Sequence, residues 1–328
     1  MKRIHYTVLV GALTAGASAA MADEGMWTLD HLPVQQMQQR YGFTPSQQWI
    51  DLVQHAAVRL NGCSGSFVSA DGLVMTNHHC ARSCLSQLSA KGVNYTRDGY
   101  AKEKEPKCPK EELLQLQSIT DVTARVNAAT KGKDGAERAK AERAVNSALA
   151  KECVGGDADT WRCDVVPLYH GGRYELYKYR RYQDVRLVFS PEESIAYFGG
   201  DPDNFNFPRY ALDVAFFRAY QNGKPAKTPR YLKFNLDGPK EGELTFVVGN
   251  PGFTRRKTPW TSLAYMRDHV LTPSIGDLSE ERGRLWQYSR KGAQQAKEAQ
   301  DRLYFADNVL CGEAAAALGQ QISARRLA

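Results

Sequence analysis

The sequence predicts a mainly β fold with helical insertions, and three observations support that prediction. Apolar runs bounded by Gly, Asn, Asp or Pro are typical of strands, and they occur at 65–76, 164–189 and 211–218. The stretch at 131–152 is rich in Ala, Lys, Arg and Glu, which favours a helix between the strands. Toward the end of the chain Gly and β-branched residues become rarer, and 277–305 has the composition of a helix.

The composition is that of an ordinary globular protein. Of the 328 residues 42% are hydrophobic and 24% are charged, and the formal net charge is +7. Acidic and basic residues are interspersed, so the chain lacks the basic stripe that is typical of proteins that bind nucleic acid. We therefore expect no nucleic-acid partner, and a chain of this length can hold one large domain or two ordinary ones.

The first 22 residues have the organisation of a secretory signal peptide. A basic start at Lys2 and Arg3 precedes an apolar stretch at 8–20 and an A-x-A cleavage motif at 20–22. The apolar stretch is too short and too rich in Ala and Gly to span a bilayer. We expect a signal peptide at 1–22, a mature protein in the periplasm and no association with the membrane.

The stretch CSGSFVSADGLVMTNHHC, at 63–80, predicts a β-hairpin that ends in two histidines. Residues 65–69 and 73–76 read as strands, and Asp71-Gly72 between them is a two-residue turn signal. Such a hairpin holds the residues that follow its second strand at one end of a sheet.

His79 is followed at once by Cys80, and this is where trypsin-like peptidases carry their general base. In those enzymes the Cys bridges back to the preceding strand, and Cys63 occupies that position here. A structural role or a metal site remains an alternative for His78, His79 and Cys80. Zinc needs further ligands at regular spacing, and because the chain has no C-x-x-C or H-x-x-x-H motif we expect no metal.

Asp213 is the candidate partner of this histidine. A loop at 199–209 that is rich in turn residues leads into the apolar strand at 211–218, which contains Asp213. Burying an unpaired carboxylate among apolar residues costs free energy, and a His Nδ1–H group is the partner that a catalytic triad offers. The alternative is a structural salt bridge between Asp213 and Arg209.

Two long stretches, GCSGSFVSADGLVMTNHHC and FGGDPDNFNFPRYALDVAFFRAY, resemble the signatures of serine peptidase family forty-six, the bacterial dipeptidyl-peptidase seven and eleven family. The resemblance extends from about Glu24 to about Pro259. It implies a trypsin-like (chymotrypsin-fold) first β-barrel at 23–258, with the helical insertion at 131–152. Residues 259–328 would then begin an α-helical domain.

The same resemblance implies a peptidase that releases dipeptides from the N-termini of peptides. His79 would be its general base and Asp213 the residue that orients the base. Asn204 would bind the free amino group of the substrate, and Phe205 would line that pocket where the family often has Trp. The expected partners are peptides with a free N-terminus and, for a full-length form, a second copy in a homodimer; no cofactor is expected.

The nucleophile of such an enzyme should follow Asp213, because two-barrel serine peptidases carry His, Asp and Ser in that order. The serines after it lack the Gly-x-Ser-Gly setting that supplies oxyanion-hole amides; they are Ser262, Ser274, Ser279, Ser289 and Ser323. Members of the resembled family are about twice as long. We therefore expect an N-terminal fragment that lacks the second barrel and is inactive by itself. The alternative is an inactive periplasmic peptide-binding or structural remnant.

The seven cysteines of an exported protein are expected to form disulfides. Cys63 and Cys80 follow the hairpin, and proximity in sequence suggests the other two pairs, although six cysteines allow 15 connectivities. The expected pairs are Cys63–Cys80, Cys84–Cys108 and Cys153–Cys163, which leaves Cys311 unpaired.

The charged helix at 131–152 has two interpretations. It is either a partner-binding helix or a solvated excursion from the sheet. Possible pairing of Glu137 with Lys140 or Arg143 supports the helix itself. The solvated excursion is the expected role, because runs of charged residues are more often solvated faces than partner-binding sites.

The remaining elements follow from local patterns. A helix is expected to begin near Thr44 and to continue at helical spacing through Leu60. We also expect a short helix at 81–91, a polar loop at 92–112 and a strand at 243–249.

Overall fold

The computed structural model describes residues 25–90, 92–198, 210–250 and 258–327, and for 311–327 it describes the helical backbone alone. The described residues form two compact units. The small unit contains 25–46 and 235–247, and the large unit contains 47–234 and 248–327.

The small unit contains helix α1 (Val34–Tyr41). Gly42 ends α1 in the left-handed conformation, with φ 64°, and its N–H donates to a carbonyl of the last turn. The ring of Phe43 lies 5.6 Å from that of Phe246. The strand predicted at 243–249 is wrong, because the described backbone of this segment pairs with no strand.

The large unit is a mixed sheet-and-helix structure with a large antiparallel sheet. Its helices are α2 (Gln47–Ala56), α3 (His78–Leu88), α4 (Tyr95–Asp98), α5 (Thr123–Thr130), α6 (Gly135–Val154), α7 (Glu193–Ala196), α8 (Trp260–Tyr265), α9 (Thr272–Ser289) and α10 (Ala293–Leu327). Its strands are β1 (Ala57–Leu60), β2 (Cys63–Phe67), β3 (Leu73–Thr76), β4 (Tyr100–Ala101), β5 (Leu113–Asp121), β6 (Trp161–Leu168), β7 (Arg173–Tyr182), β8 (Asp184–Ser190), β9 (Ala215–Gln221) and β10 (Lys224–Pro225).

The strands lie in the order β4-β8-β9-β3-β2-β1-β5-β7-β6, and β10 pairs with β9. Inward side chains of strands far apart in this order meet in a single buried cluster, which includes Val58, Phe67, Leu113, Leu187 and Phe217. This cluster is the main core of the large unit. Burying such side chains contributes about 1.5–3 kcal/mol each to stability.

Two local expectations near the N-terminal side of the sheet are wrong. Residues 57–60 form β1 and do not continue the preceding helix, because they pair with β2 on one side and β5 on the other. Residues 92–112 contain α4 and β4 and are not one loop. For β1 and β4, pairing with strands distant in sequence overrides the local pattern.

The helix predicted at 131–152 is α6, which ends at Gly155 in the left-handed conformation. Together with α5 it covers β6 and β7 through a second buried cluster that includes Val126, Leu149 and Tyr174. Helix α6 thus packs on the end of the sheet that β7 and β6 form.

The helix predicted at 277–305 is two helices, α9 and α10, with a break at 290–292. A π-helical turn at Met266–Leu271 connects α8 to α9. Among the residues searched, no helix has the length and hydropathy needed to cross a membrane.

Three disulfides are present, and they match the predicted pairs. The Cα atoms are 6.2 Å apart in Cys63–Cys80, 5.1 Å in Cys84–Cys108 and 6.1 Å in Cys153–Cys163. The side chain of Cys311 lies outside the described residues. Because Cys80 and Cys84 are both on α3, two of the disulfides fasten this one helix.

Replacing Cys63 and Cys80 together by Ala should lower the free energy of unfolding by roughly 2–4 kcal/mol, because the bond closes a loop of 17 residues. Urea unfolding followed by circular dichroism measures this change. The matched control replaces Cys153 and Cys163, whose loop of 10 residues should make the loss about 0.5 kcal/mol smaller in the chain-entropy relation. A loss below about 1 kcal/mol for the Cys63/Cys80 pair would contradict the prediction.

Candidate active site

The pairing of β3 with β9 brings two segments to the same edge of the sheet. Thr76, the last residue of β3, lies opposite Ala215, the first residue of β9. His79 follows Thr76 by three residues, and Asp213 precedes Ala215 by two. Because antiparallel strands end and begin at a common edge, the two side chains meet there.

His79 lies in the first turn of α3, which begins at His78 and not at the predicted residue 81. Asn77, in an extended conformation, is the N-cap residue. The first N–H groups of a helix have no partner inside the helix, and Asp213 Oδ1 accepts the N–H of His79 at 3.0 Å. The carboxylate of Asp213 therefore caps α3 from outside the helix.

The ring of His79 is held by the same carboxylate. His79 Nδ1 is 2.7 Å from Asp213 Oδ2. Asn77 Nδ2 donates to Oδ2 at 3.2 Å and to the backbone oxygen of Asp213 at 3.0 Å. Since an ionised carboxylate can only accept, Nδ1 of His79 is the donor in this hydrogen bond, and in the neutral imidazole Nε2 then has the lone pair.

Asp213 is ionised at neutral pH. Its partial burial opposes ionisation, but the hydrogen bonds from the His79 ring and from the His79 N–H outweigh burial and lower the pKa of Asp213. The side chains of His79 and Asp213 are 45% and 32% exposed. The pair thus lies at the surface of the described residues, with an anionic acid that orients the imidazole.

His78 has a different environment. It is fully buried, and neither ring nitrogen has a hydrogen-bond partner among the described residues. Burial, reinforced by the charge of Arg82, lowers the pKa of His78. The structure therefore brings His79, and not His78, to Asp213, as the sequence analysis expected.

Three other residues that the sequence predicted at or near the site are not described by the structure. Asn204, Phe205 and Arg209 lie outside the described residues, so their roles stay predictions.

Cys63, His79 and Cys80 form a group of possible metal ligands. The two sulfurs are bonded to each other at 2.09 Å, and in that state neither is a thiolate ligand.

Among the described residues, no serine hydroxyl bonds to the ring of His79. Two of the candidate serines, Ser279 and Ser289, donate to carbonyls of their own helix, at 2.6 and 2.8 Å. Ser64, on β2 before the histidine, accepts the N–H of Asn250 at 2.6 Å. The described site therefore contains a histidine ring hydrogen-bonded to a carboxylate, which is an arrangement that general-base chemistry requires.

Sequence reasoning missed two residues that support the pair. Asn77 is a favoured N-cap type, and that signal would have placed the start of α3 at His78. Arg82, on the same helix, bonds to Glu193. No local pattern connects these two residues, which are 111 positions apart.

The family model described as Peptidase S46 matches residues 22–321. The chain belongs to the peptidase S46 family. The Asp/Glu-specific dipeptidyl-peptidase of Shewanella putrefaciens is 36% identical over 280 residues, which cover 79% of this chain and 38% of that protein. Dipeptidyl-peptidase 7 of Porphyromonas endodontalis is 35% identical over 285 residues, covering 79% and 34%. This chain therefore spans less than half the length of these S46 relatives.

Solved structures of an S46 relative resemble the fold. Porphyromonas endodontalis DPP11 in complex with the dipeptide Arg-Glu superposes with a TM-score of 0.79 at 25% identity, over 90% of this chain and 46% of DPP11. The complex of DPP11 with Arg-Asp gives a TM-score of 0.72 at 26% identity, over 92% and 46%. Most of this chain thus has a fold similar to that of less than half of DPP11.

The buried His78 should make stability depend on pH. Its pKa is lowered in the folded protein and lies near 6.5 in the unfolded chain, so the unfolded state binds more protons below about pH 6.5. The stability that depends on neutral His78 is therefore fully present above about pH 6.5. It decreases as the pH falls toward the pKa of His78 in the folded protein. The contribution of Asp213, whose folded pKa is lowered from 3.8, is lost only in more acidic solution.

Replacing His78 by Gln should reduce this dependence by up to about 1.4 kcal/mol per pH unit between pH 6.5 and 5. Urea unfolding at a series of pH values measures the slope. His170→Gln, on an exposed turn, is the matched control and should keep the wild-type slope. Equal slopes for the wild type and His78→Gln would show that His78 is not the titrating group.

Proposed function

We propose that this chain is the N-terminal part of a serine-type dipeptidyl-peptidase, which releases dipeptides from the N-termini of peptides. The observation that carries the proposal is the hydrogen bond between His79 Nδ1 and Asp213 Oδ2. Support comes from membership of the S46 family and from relatives whose names state dipeptidyl-peptidase activity. The DPP11 complexes with Arg-Glu and Arg-Asp support peptides as substrates.

In this proposal His79 is the general base. Its Nε2 accepts the hydroxyl proton of a serine as the serine oxygen attacks the scissile carbonyl carbon, and the resulting imidazolium gives that proton to the leaving amine. A water molecule then hydrolyses the acyl-enzyme with the same base. Asp213 holds the Nδ1–H tautomer and stabilises the imidazolium.

We further propose that the nucleophilic serine and the oxyanion hole belong to a part of the enzyme outside this chain. The support is the short share of the relatives that the chain spans, 38% and 34%. The large antiparallel sheet would belong to the first barrel of a trypsin-like fold, at 23–258. Residues 259–328 would begin the helical domain between two barrels. Homodimerisation of a longer form stays a prediction.

The substrate's free amino group would bind Asn204, and Phe205 would line that pocket. The mature enzyme would be periplasmic after removal of a signal peptide at 1–22. The three disulfides support this location, because disulfides persist in oxidising compartments.

The isolated 328-residue chain should neither turn over dipeptidyl fluorogenic substrates nor react with a serine-directed fluorophosphonate, because a base without its nucleophile has no atom to activate. The assay uses substrates with acidic and with apolar residues at the cleavage site. Turnover, or stoichiometric labelling of any serine, would contradict the assignment of the nucleophile. An extended chain that binds peptides but cleaves none would instead favour the inactive-remnant alternative.

In a version extended with the downstream reading frame, His79→Ala should lower kcat by roughly 10⁴-fold or more, and Asp213→Asn by roughly 10⁴-fold. His78→Gln is the matched control, since His78 is buried away from Asp213, and should keep kcat within about tenfold. Steady-state kinetics with a dipeptidyl substrate measures all three. Comparable losses in His78→Gln and His79→Ala would contradict the assignment of the base.

A further inference from the structure

Arg82 lies one helical turn beyond His79 on α3, and only 5% of it is exposed. A charged group at this depth needs a partner. Arg82 Nη1 donates a short hydrogen bond to Glu193 Oε1, and the two side chains are 6% and 26% exposed. An ion pair shielded from water in this way is screened much less than a pair at the surface.

Glu193 is connected to Asp213 through α7 and Leu212. It is the first residue of α7, and the carbonyl of Ile195 in α7 accepts the N–H of Leu212 at 2.8 Å. Leu212 is the residue before Asp213. The contacts therefore form a closed ring from His79 along α3 to Arg82, through Glu193 and α7 to Leu212, and back through Asp213 to His79.

Tyr304 of α10 covers the ion pair. Arg82 Cζ lies 3.9 Å from the centroid of the Tyr304 ring, and a guanidinium stacks well on such a face. The Tyr197 ring lies 4.1 Å from that of Tyr304, and its hydroxyl donates to the Tyr304 carbonyl at 3.3 Å. A second, longer contact joins Arg82 Nη2 to Asp301 Oδ1 at 3.8 Å. Helix α10 thus covers the guanidinium of Arg82, while Glu193 stays partly exposed.

The His79–Asp213 pair needs such support. Its side chains are 45% and 32% exposed, and a pair in contact with water contributes little to holding its own geometry. The Cys63–Cys80 disulfide fastens α3 to β2, but it makes no covalent link to the segment that carries Asp213. The two segments are joined by the pairing of β3 with β9 and by the hydrogen bonds that Asn77 and the His79 N–H donate to Asp213. The bond between Arg82 and Glu193 adds a connection that is less exposed to water.

We propose that Arg82 is a positioning residue for the His79–Asp213 pair, acting through Glu193 and α7, with Tyr304 as its cover. It touches neither substrate nor reacting atoms. The proposal rests on the proposed function for what the pair does, but the geometry can be tested in this chain without any turnover. The docking of α10 on α3 then determines how firmly the base is held.

The test is NMR of the 328-residue chain labelled with ¹⁵N and ¹³C. Two readouts report the pair: the downfield Nδ1–H proton signal of His79, and the titration of the Asp213 side-chain carboxyl carbon. Arg82→Gln should remove or strongly weaken the proton signal and raise the pKa of Asp213 toward its ordinary value. Arg82→Lys, which keeps the charge but not the planar stacking on Tyr304, should restore the signal only in part.

Arg181→Gln is the matched control. Arg181 makes a half-buried ion pair with Glu112 at 2.8 Å on another part of the sheet. Its replacement should lower the midpoint of urea unfolding and leave both readouts at their wild-type values. A loss of stability alone therefore does not reproduce the effect expected for Arg82.

Two further variants keep the proposal testable if Arg82→Gln does not fold. Glu193→Gln removes the carboxylate, and Tyr304→Leu removes the cover; both should weaken the His79 signal. Unchanged readouts in the folded variants would overturn the proposal. An extended enzyme without peptidase activity would instead contradict the proposed function, while these NMR readouts would still decide the role of Arg82.

Discussion

The pairing of β3 with β9 is the constraint on which the rest of the site depends. Thr76 lies opposite Ala215, so the chain leaving one strand and the chain entering the other share an edge of the sheet. A shift of the register by one residue would turn the side chains of β9 to the opposite face and would move Asp213 along that edge. The His–Asp pair is thus a consequence of a backbone ladder between segments that are 134 residues apart.

The helix that begins at His78 adds an electrostatic reason for the arrangement. Asp213 accepts the His79 N–H at the positive end of α3, and this environment favours its anionic form. The anion in turn selects the His79 tautomer with the proton on Nδ1. Helix capping and orientation of the base are therefore two effects of one carboxylate, which explains why Asp213 is held so close to the backbone of α3.

Local sequence signals predicted part of this structure, and the rest depends on long-range contacts. Turn residues and closely spaced cysteines made the hairpin and the disulfide pairs predictable, and the need of Asp213 for a partner pointed to His79. The strand at 57–60 could not be predicted, because its apolar pattern continues that of α2 and only pairing with β2 and β5 distinguishes them. The segment at 243–249 has the apolar composition of a strand, but it pairs with no strand in the part of the chain that the structure describes. The bond between Arg82 and Glu193 depends wholly on the tertiary fold.

The central claim is that Asp213 holds His79 as the base for a serine from outside this chain. The most direct measurement is a crystal structure of a longer form that contains the proposed serine, bound to a dipeptide. We predict that His79 Nδ1 lies within hydrogen-bond reach of Asp213, and that His79 Nε2 lies within about 3 Å of the hydroxyl of that serine. A structure in which His78 or no histidine faces that serine, with Asp213 bound elsewhere, would contradict it.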